Sequence, residues 1–184
     1  MAASVALRWG VPVRASVAPV AFADAVRDHQ DEVFGVALRI TGDREAALDV
    51  TSAALLKAFR AFDRYDQTRP VRHWLLRIAT NEAITYVRKR GRDLRRRVDV
   101  EEASVVADAA PTPDAESVAR EERARIRAAV AGLPELYRVV VVLRYFNDLS
   151  VEEIASITGR PASTVGVQLL RGRALLRRAL GGSE

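Results

Sequence analysis

The chain has 184 residues, 49% of them hydrophobic and 29% charged, with 29 Lys+Arg against 24 Asp+Glu and a formal charge of +5. That balance excludes global disorder, because there is enough apolar side chain to bury a core. The absence of cysteine, with only His29 and His73 as imidazoles, excludes disulfides, zinc–thiolate centres, thiol catalysis and a histidine-rich metal site, and no cofactor is expected.

Residues 1–19 form a mildly apolar leader, interrupted by Arg8 and Arg14. It is poor as a signal peptide and is expected to be disordered. From Phe22 onward, apolar residues recur at helical spacing (Ala25, Val26, Val33, Phe34, Val36, Ala37, Ile40), which predicts a helix over 21–40. Gly42 suits a left-handed cap. Asp43 can then cap a second helix over 44–62, with Glu45 and Asp49 near its positive end. A polar loop, 63–69, leads to Pro70, which suits the first turn of a third helix over 71–90. Trp74 falls on the apolar side of that helix and reads as a core residue. Residues 91–115 lack helical periodicity, contain Gly91, Pro111 and Pro113, and read as a linker.

Helical patterning resumes over 116–131 and again from Pro134 to Phe146. Ser150-Val151-Glu152-Glu153 is a capping box, in which the hydroxyl and Glu153 satisfy free N–H groups reciprocally. The short helix it opens ends at Gly159. Ser163 or Thr164 is expected to cap a last helix running to about Leu180, with Gly181-Gly182 as its stop. No alternation of strand period is present. The chain therefore reads as all-α, with two small helical domains: 20–92 and 116–184, joined by a flexible acidic linker over 93–115.

Charge changes sign block by block. Residues 22–66 hold 6 basic and 9 acidic residues, 69–97 hold 10 and 2, 99–122 hold 1 and 8, and 123–184 hold 10 and 5. Such asymmetry points to nucleic acid more strongly than the net charge does. Residues 150–178 carry a helix-turn-helix pattern, in which the second helix enters the major groove. Val165, Leu169 and Leu175-Leu176 would anchor that helix. Gln168, Arg171 and Arg173 would face bases, and Ser163 or Thr164 would bind phosphate.

Two stretches of the chain carry a family resemblance. FADAVRDHQDEVFGVALRITGDREAALDV, LLKAFRAFDRYD and RPVRHWLLRIATNEAITYVRKRGR resemble region 2 of bacterial sigma factors of the extracytoplasmic-function group. LPELYRVVVVLRYFNDLSVEEIASITGRPASTVGVQLLRGRALLRR resembles their region 4. The resemblance implies a non-enzymatic, cytoplasmic initiation subunit of RNA polymerase. Region 2 would open the −10 element and region 4 would read the −35 element. The implied partners are core polymerase (the clamp of the largest subunit and the flap of the second-largest), promoter DNA, and an anti-sigma factor or other regulatory protein.

Residue by residue, the resemblance places Tyr65 and Asn81 at the pocket that traps an extruded base, with Arg77, Arg88, Lys89 and Arg90 on nearby phosphates. Asp49, Ser52, Leu55, Leu56 and Phe59 fall on the polymerase-docking helix. The −7 stretch of the linker mimics a nucleic-acid strand and is expected in the polymerase's basic channel. The chain departs from the family pattern twice. The docking helix reads LDVTSAAL where E-D-L-V-Q-E-T-F is usual, leaving fewer polar anchors. The recognition helix has Gly166-Val167-Gln168 in place of basic-Ser-Arg, and Leu170 in place of His or an aromatic residue. Arg171 is then the main expected −35 contact. Two alternatives stand beside this reading: a two-domain helix-turn-helix regulator that binds DNA without polymerase, and a degenerate sigma-like protein acting by protein contacts alone.

Overall fold

A computed structural model of the chain describes residues 21–98 and 115–181. The leader and the acidic segment 99–114, with the channel role expected of it, lie outside the described residues. Among the described residues there is no strand. Seven helices run in the order α1 (Phe22–Thr41), α2 (Arg44–Ala61), α3 (Val71–Val98), α4 (Ala115–Ala131), α5 (Glu135–Tyr145), α6 (Val151–Thr158) and α7 (Ala162–Ala179), with a 3-10 turn at Phe62–Arg64.

Helices α1, α2 and α3 pack pairwise into an antiparallel three-helix unit, and α5, α6 and α7 form a second unit joined by α4. The punctuation read from the sequence sets the first corner. Gly42 caps α1 at φ +74°, a left-handed conformation open to glycine. Asp43 then caps α2, its carboxylate accepting from the N–H groups of Glu45 and Ala46 at 2.9 and 3.1 Å. The capping box also forms: Ser150 Oγ accepts from Glu153 N–H, and Glu153 accepts from Ser150 N–H at 2.7 Å. Gly159 ends α6 at φ +68°.

Three expectations are corrected. The helix read over 71–90 continues through Gly91 to Val98, so its last two turns replace the start of the expected linker. Arg, Asp and Leu after Gly91 all tolerate helix, and one glycine costs only about 1 kcal/mol relative to alanine. The last helix is entered from Pro161, with Ala162 already helical, so Ser163 and Thr164 sit inside its first turn and neither caps it. Finally, the two units are not held apart. One buried cluster runs from Val36, Ala37 and Ile40 of α1 through Leu76 of α3 to Val139, Val140 and Leu143 of α5.

Polar contacts seal that junction. Arg72 on α3 pairs with Glu32 on α1, its Nε donating at 2.8 Å, and also donates to the Asn147 carbonyl at 2.6 Å. The Asn147 amide donates to the same Glu32 carboxylate at 2.9 Å. Burial pushes the Glu32 carboxyl up, but hydrogen bonds from Arg72 and Asn147 and the Arg72 charge outweigh it and hold it below its ordinary value. Arg138 on α5 donates to the Ile40 carbonyl at the end of α1 at 2.7 Å. Arg39 stacks over the Phe146 ring, 4.4 Å from its centroid.

Candidate nucleic-acid interface

Helix α2 turns the usual sorting of side chains around. Its buried face is built of small residues: Ala46, Ala47, Val50, Ala54 and Ala58. Small side chains let α1 and α3 approach closely, so the large apolar residues of α2 have no room inside. Leu48, Leu56 and Phe59 point to solvent, with Phe59 63% exposed. With Ser52 and the half-buried Leu55, they share one face by the 3.6-residue period, and Asp49 is exposed at its edge. Large apolar side chains exposed on one face are a surface that a protein partner could cover. The structure thus gathers all five residues that the resemblance assigned to polymerase docking. Leu48 belongs with them and was passed over; its i, i+4, i+8, i+11 spacing with Ser52, Leu56 and Phe59 was the available signal.

At the end of this unit lies an aromatic cluster. Phe22 meets Phe59 and Phe62 edge-on at 5.3 and 5.2 Å, Phe62 stacks on Tyr65 at 5.8 Å, and Tyr65 tilts against Trp74 at 4.9 Å. Trp74 is half-buried, as its apolar register implied, and packs against the core cluster of Ala25, Val33, Ala54, Ala58, Leu75 and Ala79 as well as against this aromatic cluster. Tyr65 is only 8% exposed, and its hydroxyl donates to the Arg69 carbonyl. It is therefore an aromatic wall with its faces covered, not a free platform for a base. It lines a cleft of about 750 Å³ with Trp74 and Arg77, across from Glu152 and Glu153 on α6.

Asn81 is exposed one turn beyond Arg77 on the same side of α3. The remaining basic candidates divide. Arg88 binds Glu135 of α5, its Nε at 3.0 Å, and Arg90 binds the capping carboxylate of Asp43 at 3.1 Å. The Ala46 N–H and the Arg90 hydrogen bond hold that Asp43 carboxyl below its ordinary value. Arg77 and Lys89 stay exposed. The expectation that Arg88 and Arg90 present free charge to phosphate is corrected: in this form each neutralises a carboxylate.

The helix-turn-helix is formed by α6 and α7. Gly159 makes the turn, Ile154 and Ile157 of α6 are buried, and Val165, Leu169 and Gly172 of α7 face inward. Gly172 is the closest crossing: a Cβ there would stand 2.8 Å from a Val141 methyl of α5. The sequence reading missed this glycine because an isolated glycine inside a helical pattern looks like a neutral flaw until its neighbour is known.

Ser163, Thr164, Arg171 and Arg173 are exposed as expected. Gln168 is not. It is half-buried at the side of α7, and its amide oxygen accepts from Arg160 at 2.9 Å, so the expectation that it faces bases is corrected. The outward side chains at this level are Val167 and Leu170, 49% and 60% exposed. No helix among the described residues is long and apolar enough to cross a membrane.

The description Sigma-70 region 2 matches residues 25–93, and Sigma-70, region 4 matches residues 123–176. The chain is 35% identical over 169 residues to the ECF RNA polymerase sigma factor SigW of Bacillus subtilis, covering 87% of this chain and 89% of that one. It is 32% identical to the RNA polymerase sigma-H factor of Pseudomonas aeruginosa, covering 87% and 86%. Among solved structures, the sigma factor RpoE of Bartonella quintana, in complex with the anti-sigma factor NepR, superposes with a TM-score of 0.70 at 22% identity, covering 89% of this chain and 98% of that one. CnrH in complex with the cytosolic domain of CnrY superposes with a TM-score of 0.62 at 26% identity, covering 89% of each. With both regions matched in order and a relative of this similarity aligned over nearly its full length, the chain belongs to the extracytoplasmic-function group of sigma-70 RNA polymerase sigma factors.

Proposed function

We propose that this chain is a dissociable, non-enzymatic promoter-specificity subunit that works in the cytoplasm. Its 20–92 domain docks core RNA polymerase and opens the −10 element, and its 116–184 domain reads the −35 element. The exposed apolar face of α2 carries the reading. A free DNA-binding regulator has no use for Leu56 and Phe59 in solvent, whereas a subunit that must dock on a large enzyme does. In this assignment Asp49, Ser52, Leu55, Leu56 and Phe59 meet the polymerase clamp. Asn81 receives the extruded base, with Arg77 and Lys89 on phosphates. Tyr65 supplies the wall of the cleft. Arg171 and Arg173 meet the upstream duplex, and the acidic segment 99–114 occupies the polymerase's basic channel.

The packed arrangement is then a resting form. Elements centred about 25 base pairs apart lie roughly 85 Å apart on B-DNA at about 3.4 Å per pair. A compact chain of this length has a radius of gyration of only about 16 Å. Reading both elements therefore requires the helix-turn-helix to leave the first unit. That exchange frees Arg88 from Glu135 for phosphate and removes Glu152 and Glu153 from the cleft, whereas the Arg90–Asp43 pair, internal to the first unit, stays. The Bartonella sigma factor that shares this fold is bound by an anti-sigma factor, and CnrH is bound by the cytosolic domain of CnrY, which supports a regulatory partner that holds the resting form.

Reconstitution with sigma-free core polymerase tests the proposal. Promoter-dependent transcription from genomic fragments is expected, with Asn81→Ala impairing opening more than core binding. Failure to bind polymerase would return the regulator reading, and binding without opening would favour a sigma-like protein acting by protein contacts.

A further inference from the structure

Helix α7 has an unusual outward face. Opposite the buried line of Val165, Leu169 and Gly172, the 3.6-residue period aligns Ser163, Val167, Leu170 and Ala174, all exposed. The centre of the face that should meet base edges is thus apolar. Arg171 and Arg178 flank it on one side, Arg173 and Arg177 on the other, all exposed. The 18-residue helix holds no carboxylate at all. Beside Val167 a groove of about 350 Å³ is bordered by Leu136, Thr164 and Arg171.

Charge identifies the occupant. Two arginine margins with no acid between them fit a polyanion that presents phosphates on both sides of the helix. A major groove about 12 Å wide, bounded by two strands, accepts a helix of about 10–12 Å diameter in that way. An apolar protein partner would leave four arginines without counter-charge. Inside the groove, the apolar group a base offers is the thymine C5-methyl. Gln168, the side chain that could have paired with adenine, is held by Arg160.

We propose that Val167 and Leu170 are specificity-determining residues that read thymine methyl groups in the upstream element, with Arg171 reading a neighbouring guanine. The family pattern places Ser at position 167 and His or an aromatic residue at position 170, so the chain selects a different upstream sequence rather than reading none. The inference rests on the promoter-reading function proposed above.

The test uses the full chain assembled with core polymerase. Bound duplexes are selected from a pool randomised upstream of a fixed −10 element. The selected duplex is then remade with each upstream thymine replaced in turn by uracil, which removes the methyl and nothing else. At one or two positions the change is expected to weaken binding about four-fold, the affinity one buried methyl supplies. Val167→Ala and Leu170→Ala should each bind the thymine duplex about four-fold more weakly and lose thymine–uracil discrimination at one position. Circular dichroism should show unchanged helix, since both side chains are largely in solvent.

A selected upstream sequence bound equally well with thymine and uracil would overturn the inference alone. Discrimination that survives in both variants would do the same. Selection of no upstream sequence would overturn the −35 reading itself and this inference with it.

Discussion

Helices α2 and α7 are both 18 residues long, and both show large apolar side chains to solvent. On α2 the core takes four alanines and a valine, and Leu48, Leu56 and Phe59 are exposed; on α7 the core takes Val165, Leu169 and Gly172, and Val167 and Leu170 are exposed. What separates them is charge. The apolar face of α2 carries Asp49 at its edge and mixed charges beyond, whereas that of α7 lies between two margins of arginine. Apolar surface without a field suits a protein, and the same surface inside a cationic frame suits the edges of bases. In the proposed function, exposed apolar side chains on the two helices would serve the two partners.

The comparison can be broken most severely on α2. Leu56→Ala with Phe59→Ala should weaken core-polymerase binding by about 100-fold or more, since each fully buried side chain contributes about 1.5–3 kcal/mol. Thermal stability should fall only by about the 0.5–1.5 kcal/mol of the edge-on contact of Phe59 with Phe22, because both residues are exposed in the free protein. Fluorescence titration of labelled chain with core enzyme measures the loss, and an unchanged affinity would show that this face is not the docking surface.

On α7 the corresponding weak point is inside. Gly172→Leu drives a side chain into Val141 and should destabilise the second unit by about 1–3 kcal/mol, the usual range for overpacking. Urea unfolding would register it as a lower midpoint. Because the recognition helix is levered off α5, upstream DNA binding should fall as well.

Arg171→Ala sharpens the comparison without touching the fold. Loss of a paired base contact should weaken upstream binding by about 1–3 kcal/mol and relax specificity at one position, with docking to polymerase intact. Footprinting over the upstream element is the measurement, and an unaltered footprint would remove Arg171 from the interface.

The smallest effect concerns the junction between the two helices' domains. The Glu32 carboxyl is depressed in the folded form by Arg72 and Asn147 against the opposing pull of burial. A depressed carboxyl contributes stability that is present above its unfolded value, about 4.3 for glutamate, and is lost as pH falls through the folded value. The Glu32–Arg72 pair lies within the first unit and only the Asn147 bond to Glu32 crosses the junction, so protonation of Glu32 should loosen the packed form slightly, at acid pH below about 4. The chain lacks cysteine, so labels on cysteines introduced at the exposed Arg60 and Arg177 can report the distance. Glu32→Gln should already be looser at neutral pH and show a smaller acid step.

Most of the fold was legible because its signals are local. The αL turn at Gly42, the Asp43 cap, the capping box at Ser150 and Glu153, and the turn at Gly159 each depend on a few consecutive residues, and each forms as read. The helix that overran Gly91 is an error of two turns and the cap misplaced to Ser163 one of a residue or two, where weak propensity gave no sharp stop. The candidate site was legible differently. Residue identity named Asp49, Asn81 and Arg171, and the structure leaves them exposed. Identity alone could not tell that Gln168 is held by Arg160, that Arg88 and Arg90 are bound to Glu135 and Asp43, or that Tyr65 is covered by Phe62 and Trp74.

What the sequence by itself determined is the alphabet of this protein: all-helical, two units, a basic helix-turn-helix, an acidic segment between them, and family membership through motifs in order. Periodicity, caps and charge runs are properties of neighbours along the chain, so they need no third dimension. Only the tertiary structure decided which large apolar residues are core and which are interface, and which arginines are free. It also decided that the two units close on each other through Glu32, Arg72 and Asn147, residues separated by 40 and 75 positions. Those outcomes depend on how closely two helices can approach and on which carboxylate then falls within reach. Both are fixed by packing across the core, and no window along the sequence contains them.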